Sequence, residues 1–150
     1  MELILWRHAE AEDGPIDLQR ALTRKGESQA ERMAAFLRKH LPGNARILVS
    51  PALRTRQTAQ ALTREFVIEP RLAPAARPQD LLTAADWPHG EGCVLLVGHQ
   101  PTLGEVAAQL LTDSPQAFSI KKGAIWWFSN APRDDRPRTL LRLVMSPDLL

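Results

Sequence analysis

Two wholly apolar runs, Leu3-Ile4-Leu5-Trp6 and Val94-Leu95-Leu96-Val97, with the shorter Ile47-Leu48-Val49 between them, set the terms on which this chain can fold. Uniform apolar segments of that length read as strands buried inside a sheet. Each runs straight into residues that carry chemistry. Arg7-His8 closes the first, Ser50-Pro51-Ala52-Leu53-Arg54 follows the second, and Gly98-His99 closes the third. The edge where parallel strands end is where an α/β sheet keeps its chemistry, so His8, Arg54 and His99 are expected to converge although they lie far apart in sequence.

Between the strands the periodicity changes. Glu10 to Gln19 is a polar loop, and a helix is expected from near Thr23, where Ala30, Met33, Ala34, Leu37 and Leu41 share one face until Pro42-Gly43 stops it. Ser50-Pro51 reads as the start of a second helix, running to about Arg64, because serine caps and proline fits the first turn. A short strand is expected at Phe66-Val67-Ile68. Irregular chain follows around Pro70, Pro74 and Pro78, and then a short helix over Gln79 to Ala85. Pro101 opens a helix with an apolar stripe of Leu103, Val106, Ala107, Leu110 and Leu111. Two last strands, Ala124 to Phe128 and Leu140 to Met145, flank the polar loop Ser129 to Arg138, and alternation along the first should bury at least one of Trp126 and Trp127. Strands alternating with helices imply a single-domain α/β fold, a three-layer α/β/α sandwich with a mostly parallel sheet spanning residues 1–150.

The charge balance narrows the functional classes. A net charge of +2 gives no argument for nucleic acid, and no run approaches the roughly 20 apolar residues that cross a bilayer. The start Met1-Glu2-Leu3 has no secretory pattern, so a cytoplasmic monomer is the default expectation. Cys93 is alone and set among apolar neighbours, which excludes an internal disulfide and a thiolate metal site. The basic clusters Arg64, Arg71 and Arg77, Lys121-Lys122, and Arg133 through Arg142 read as solvated faces, the last with a possible role in docking an acidic partner. His40 and His89 read as ordinary surface histidines.

Imidazoles and arginines gathered at one sheet edge suit an anion. Planar guanidinium forks on Arg7 and Arg54 match a phosphoryl group in charge and geometry, and helix starts at Pro51 and Pro101 would add free N–H groups. One imidazole would attack phosphorus, and the other would donate to its oxygens. The two arginines should lower the pKa of a neighbouring histidine, while a bound phosphate would oppose that shift. A metal held by His8, His99 and Glu10 is disfavoured, because the same arginines repel a cation.

Three segments carry a family resemblance: Arg7-His8-Ala9-Glu10; Ser50-Pro51-Ala52-Leu53-Arg54-Thr55-Arg56-Gln57-Thr58; and Val97-Gly98-His99-Gln100-Pro101-Thr102-Leu103. In this order they resemble the histidine phosphatase superfamily, and most closely its small SixA-type phosphohistidine phosphatase branch. Leu22-Thr23-Arg24-Lys25-Gly26, Lys122-Gly123-Ala124 and Met145-Ser146-Pro147 fit the same branch, so the likeness spans nearly the whole chain. It implies a phosphoglycerate mutase-like fold and a phosphatase without metal or organic cofactor. It makes His8 the phosphoryl-accepting nucleophile and Arg7, Arg54 and His99 the phosphate pocket. The implied substrate is a phosphohistidine in a signalling protein or a sugar-transport phosphocarrier.

Two departures stand out. Ala9 replaces a glycine common in the superfamily; its methyl group is expected to fit there, with a narrower approach to His8 as the alternative. The stretch Arg64 to His89 also has little room for the insertion that brings a proton-donating carboxylate in larger members. Asp80 and Asp86 lie there without a supporting motif, which leaves Glu10 as the nearer candidate acid. A weak or missing acid favours an easily departing group such as the imidazole of phosphohistidine. The alternatives are a small-molecule phosphomonoester phosphatase and a non-catalytic phosphoprotein-binding module; a second histidine kept beside His8 favours an enzyme.

Overall fold

The structure is a computed structural model that describes residues 1–130 and 138–150. Among the described residues six strands form one sheet: β1 (Glu2–Arg7), β2 (Arg46–Val49), β3 (Val67–Ile68), β4 (Cys93–Gly98), β5 (Ile125–Asn130) and β6 (Thr139–Met145). Their order is β3-β2-β4-β1-β5-β6. The first four run parallel, while β5 and β6 complete the other edge in antiparallel register. The expected mostly parallel sheet is therefore present. The first half of the expected basic segment Arg133 through Arg142, and most of the loop Ser129 to Arg138, lie outside the described residues.

Alternate side chains of the uniform apolar strands feed two separate cores. Leu3, Leu5, Val94 and Leu96 pack on one face with Leu81 and Leu82 of α3 (Pro78–Ala85) and Leu103 and Val106 of α4 (Thr102–Leu111). Ile4, Trp6, Leu95 and Val97 pack on the other with Met33, Ala34 and Leu37 of α1 (Arg24–His40) and Ala59 of α2 (Leu53–Gln60). Helices cover both faces, and this is the physical reason those runs contain no polar position. Trp127 is buried in the second core while Trp126 lies partly buried against the first.

Helix α1 begins as its sequence anticipates, with the Thr23 hydroxyl accepting from the Gly26 N–H at 2.9 Å. Gly26 is required for a second reason: a Cβ there would lie 1.9 Å from the carbonyl oxygen of Glu10. The helix thus presses directly on the chain leaving β1.

Helix α2 departs from expectation. It starts at Leu53 rather than Pro51 and ends at Gln60, because Ala52 is still extended at φ −62°, ψ 143°. The Ser50 hydroxyl accepts from the Ala52 N–H at 3.4 Å but lies ahead of the helix, and Thr55 and Thr58 anchor the helix through buried hydroxyls. Thr55 donates to the Ser50 carbonyl at 2.9 Å, and Thr58 donates to that of Arg54 at 2.7 Å while accepting from the Ala9 N–H at 3.1 Å. The Ala9 methyl group packs with Leu22 and Ala30 in a small third core.

Candidate active site

The tips of β1, β2 and β4 are tied together by backbone bonds. The His8 N–H donates to Gly98 at 3.1 Å, and the Ser50 N–H donates to Val97 at 3.1 Å. On the other side, Gly123 N–H donates to the His8 carbonyl at 3.1 Å, so the segment entering β5 closes on the same tip. Three stretches separated by more than forty residues each thereby meet within one hydrogen-bonded frame.

That frame brings His8, Arg54 and His99 together. The two imidazole centroids are 5.3 Å apart and tilted by 57°. The Arg54 Nη2 donates to His99 Nδ1 at 3.3 Å. A guanidinium can only donate, so Nδ1 carries the lone pair and the Nε2 proton points to the Ser50 hydroxyl oxygen, 2.7 Å away. For His8 the logic is reversed. Its Nδ1 lies 2.7 Å from the Ala9 carbonyl, which can only accept, so the proton sits on Nδ1 and Nε2 is left with its lone pair.

Both rings are buried, with exposures of 8% for His8 and 5% for His99. Burial is the largest cause of their lowered pKa values, about 4 for His8 and about 3 for His99. For His8 the bond to Ala9 works in the opposite direction, and the charges of Arg54, Arg7 and Arg20 lower the value further. The reading from sequence credited the arginines with the shift; desolvation by the folded chain is the larger cause.

Arg7 reaches the site from the end of β1 and donates to the Ile120 carbonyl at 2.7 Å. Among the described residues, the buried Nε atoms of Arg7 and Arg54 have no partner. Two guanidiniums beside two neutral imidazoles are an arrangement able to take an anion with several acceptor oxygens.

Glu10, the candidate acid, is directed elsewhere. Its carboxylate accepts from the Thr23 hydroxyl at 3.1 Å and lies 3.9 Å from Lys25 Nζ, and no hydrogen bond to either histidine is formed among the described residues. Proximity in sequence did not become reach, because the β1 exit turns Glu10 toward the start of α1.

Sequence reasoning missed Asp17. The loop read as plain polar chain is laced by an Ala11–Leu22 bridge and an Arg20 Nε bond to the Glu12 carbonyl at 2.8 Å. It delivers Asp17 onto Arg54, whose Nη1 donates to the Asp17 carbonyl at 2.8 Å and whose Nη2 lies 3.2 Å from its carboxylate. Partial desolvation works to raise the Asp17 pKa, but hydrogen bonds from Arg20 and Arg54 hold it below the usual range. Nothing local in the sequence signals a contact across this separation. Ser50 was assigned to capping; its partnership with His99 was equally invisible.

The family model described as histidine phosphatase superfamily (branch 1) matches residues 3–81, about half the chain. The chain belongs to the histidine phosphatase superfamily. Its place in the SixA-type branch rests on closer relatives. A phosphohistidine phosphatase SixA homologue of Haemophilus influenzae is 30% identical over 126 residues, covering 73% of this chain and 77% of that protein. An uncharacterised protein of Picosynechococcus is 38% identical over 139 residues, covering 83% of this chain and 82% of its own. Among solved structures, the protein histidine phosphatase SixA complexed with tungstate superposes with a TM-score of 0.81 at 26% identity, covering 99% of each chain. This SixA-type histidine phosphatase therefore has the phosphoglycerate mutase-like fold that its sequence implied, and its family makes it a phosphatase.

Proposed function

We propose that this protein removes phosphate from phosphohistidine in a protein substrate, through a covalent intermediate on His8 and without a metal. The observation that carries the reading is the 2.7 Å bond between His8 Nδ1 and the Ala9 carbonyl. It fixes the tautomer that leaves Nε2 unprotonated, and the lowered pKa keeps the ring neutral at physiological pH.

In the first step the Nε2 lone pair forms a bond to phosphorus as the substrate's P–N bond breaks in line. A substrate imidazole carrying a proton on its far nitrogen leaves as a neutral ring, so the step needs no proton from the enzyme. In the second step water attacks the phosphohistidine on His8, the enzyme's N–P bond breaks, and inorganic phosphate departs as the water proton passes to solvent or to the phosphate.

Arg7 and Arg54 offer N–H groups to the equatorial oxygens, where charge must be stabilised through both steps. The Arg54 Nη2 beside His99, and the charges of Arg54 and Arg7 acting on His8, support that role. His99 joins them when a phosphoryl group draws Arg54 off its Nδ1 and its negative charge raises the ring's pKa, so that the nitrogen takes a proton from solvent and a buried acceptor becomes a donor. The Haemophilus influenzae relative bears the name phosphohistidine phosphatase, which supports the choice of substrate.

Rapid quenching of wild type with a protein labelled at phosphohistidine should trap an adduct that withstands alkali and is lost in acid. The adduct should be absent from His8→Ala. Efficient hydrolysis of sugar phosphates with no turnover of phosphohistidine proteins would move the protein to the small-molecule phosphatases. Turnover that is indifferent to His8→Ala would remove the nucleophile.

A further inference from the structure

Beside the β1 tip, on the side of the sheet covered by α1, lies an open cleft of about 500 Å³. Its walls carry Lys25 and Arg32 from α1 and Lys121 and Lys122 from the segment before β5, with Glu10 and Asp148 as the only carboxylates among its lining residues. Four cations face two carboxylates, and the opposing pairs are loose: Lys25 is 3.9 Å from Glu10, and Lys121 is 3.5 Å from Asp148. Among the described residues neither Arg32 nor Lys122 has a carboxylate within 4.0 Å.

Gly123, at φ +74°, packs against two residues that line the cleft: a Cβ there would lie 3.1 Å from Pro147 and 3.3 Å from Gln29. Through its N–H the same glycine holds the His8 carbonyl, and Gln29 accepts from the Glu10 N–H at 2.9 Å. The positive cleft is thereby fixed in position relative to the nucleophilic ring.

We propose that this cleft docks an acidic stretch of the protein substrate next to its phosphohistidine. The inference rests on the phosphohistidine reading above. Its ground is charge complementarity together with the form of the cations. The Lys25 and Lys121 side chains are 73% and 71% exposed, long and hydrated, which suits the diffuse charge of an acidic protein surface and does not suit tight enclosure of a small anion.

The test uses a short peptide with a single chemically phosphorylated histidine flanked by glutamates, and a second with glutamines in their place. At low salt, wild type should hydrolyse the glutamate peptide with kcat/KM about tenfold above the glutamine peptide, an advantage that salt of about 0.5 M removes. In Arg32→Glu/Lys122→Glu the advantage should fall below about twofold, while kcat/KM for phosphoramidate keeps its wild-type value. Circular dichroism checks the fold, and either single charge reversal carries the same test if the double variant is unstable.

Equal turnover of both peptides by wild type, or an advantage that survives the charge reversals, overturns the proposal. So does displacement of the glutamate peptide by an oligonucleotide or by anionic vesicles that bind more tightly at this cleft. Fluorescence anisotropy of the unphosphorylated glutamate peptide separates docking from catalysis. If neither phosphopeptide is hydrolysed, the phosphohistidine reading fails. Docking then stands or falls on whether wild type binds the glutamate peptide about tenfold more tightly than the double variant.

Discussion

A buried neutral imidazole makes the folded protein sensitive to acid in a way that can be measured at a single residue. His8 has a pKa of about 4 in the folded chain, against about 6.5 for an exposed histidine. Between these values the unfolded chain binds a proton that the folded chain refuses, so stability must fall as pH drops from 6.5 toward 4 and change no further on this account below that. Linkage over the interval from about pH 7 to about pH 4.5 gives a loss of about 2 kcal/mol from His8 alone, a sizeable share of the roughly 5–15 kcal/mol available to a domain. The assay is urea denaturation of wild type and His8→Asn at both pH values. The variant should lose about 2 kcal/mol less on acidification, with an unchanged denaturant slope. Carboxylates such as Asp17, whose pKa is also lowered, contribute to both proteins and drop out of the difference. Equal losses in the two proteins would mean that His8 titrates at the same pH folded and unfolded, and the reading of a ring held neutral by burial down to about pH 4 would fail.

Other consequences follow from the same geometry. Arg54→Lys keeps a charge but loses the fork shared by Asp17 and His99, and kcat/KM for a phosphohistidine substrate should fall by about a hundredfold or more, read in steady-state kinetics. Ser50→Ala removes the acceptor for His99 Nε2; kcat should fall by about tenfold with little change in KM, while ring-nitrogen NMR should show the His99 tautomer unchanged, since Arg54 still donates to Nδ1. Gly26→Ala forces a methyl group onto the Glu10 carbonyl and should destabilise the protein by about 1–3 kcal/mol or more, measured by thermal unfolding. The Cys93 thiol, buried and with its pKa raised to about 12, should resist iodoacetamide in the folded protein and react after unfolding.

The strands were legible because their two-sided burial leaves no polar position to confuse the pattern: Leu3 and Ile4 face different cores, yet both must be apolar. Helix α1 was legible because Thr23 and its apolar face act locally. What failed was wherever a side chain answers to a distant partner. Ser50 has the right identity for a cap, and capping would have started α2 earlier, but its hydroxyl meets His99 and the Ala52 N–H ahead of the helix, and the chain stays extended through Ala52. Asp17 gives no sign in its own segment, since its meaning depends on Arg54 being brought beneath the loop. The convergence of His8, Arg54 and His99 was readable from the rule that parallel strands end at one edge, while the protonation pattern that distinguishes the two histidines needed the Ala9 carbonyl and the Arg54 guanidinium in place.

The carboxylates around the site bear directly on which leaving groups it can serve. A general acid must hold a proton near neutral pH and place it on the departing atom. Asp17 fails the first condition, since hydrogen bonds from Arg20 and Arg54 favour its ionised form. Glu10 fails the second, with its oxygens occupied by Thr23 and approached by Lys25. Among the described residues the site is thus strong in positive charge for phosphoryl oxygens and poor in proton donation. An alkoxide leaving from a sugar phosphate needs both, whereas an imidazole already protonated on its far nitrogen needs only the first. The same imbalance predicts the order of rates on small substrates: phosphoramidate and aryl phosphates with acidic phenols should turn over, and alkyl phosphates should lag by orders of magnitude in kcat, with a steep dependence of kcat on leaving-group pKa across a phenol series. A flat dependence would reveal a proton donor at work and would return the question to Glu10 and Asp17.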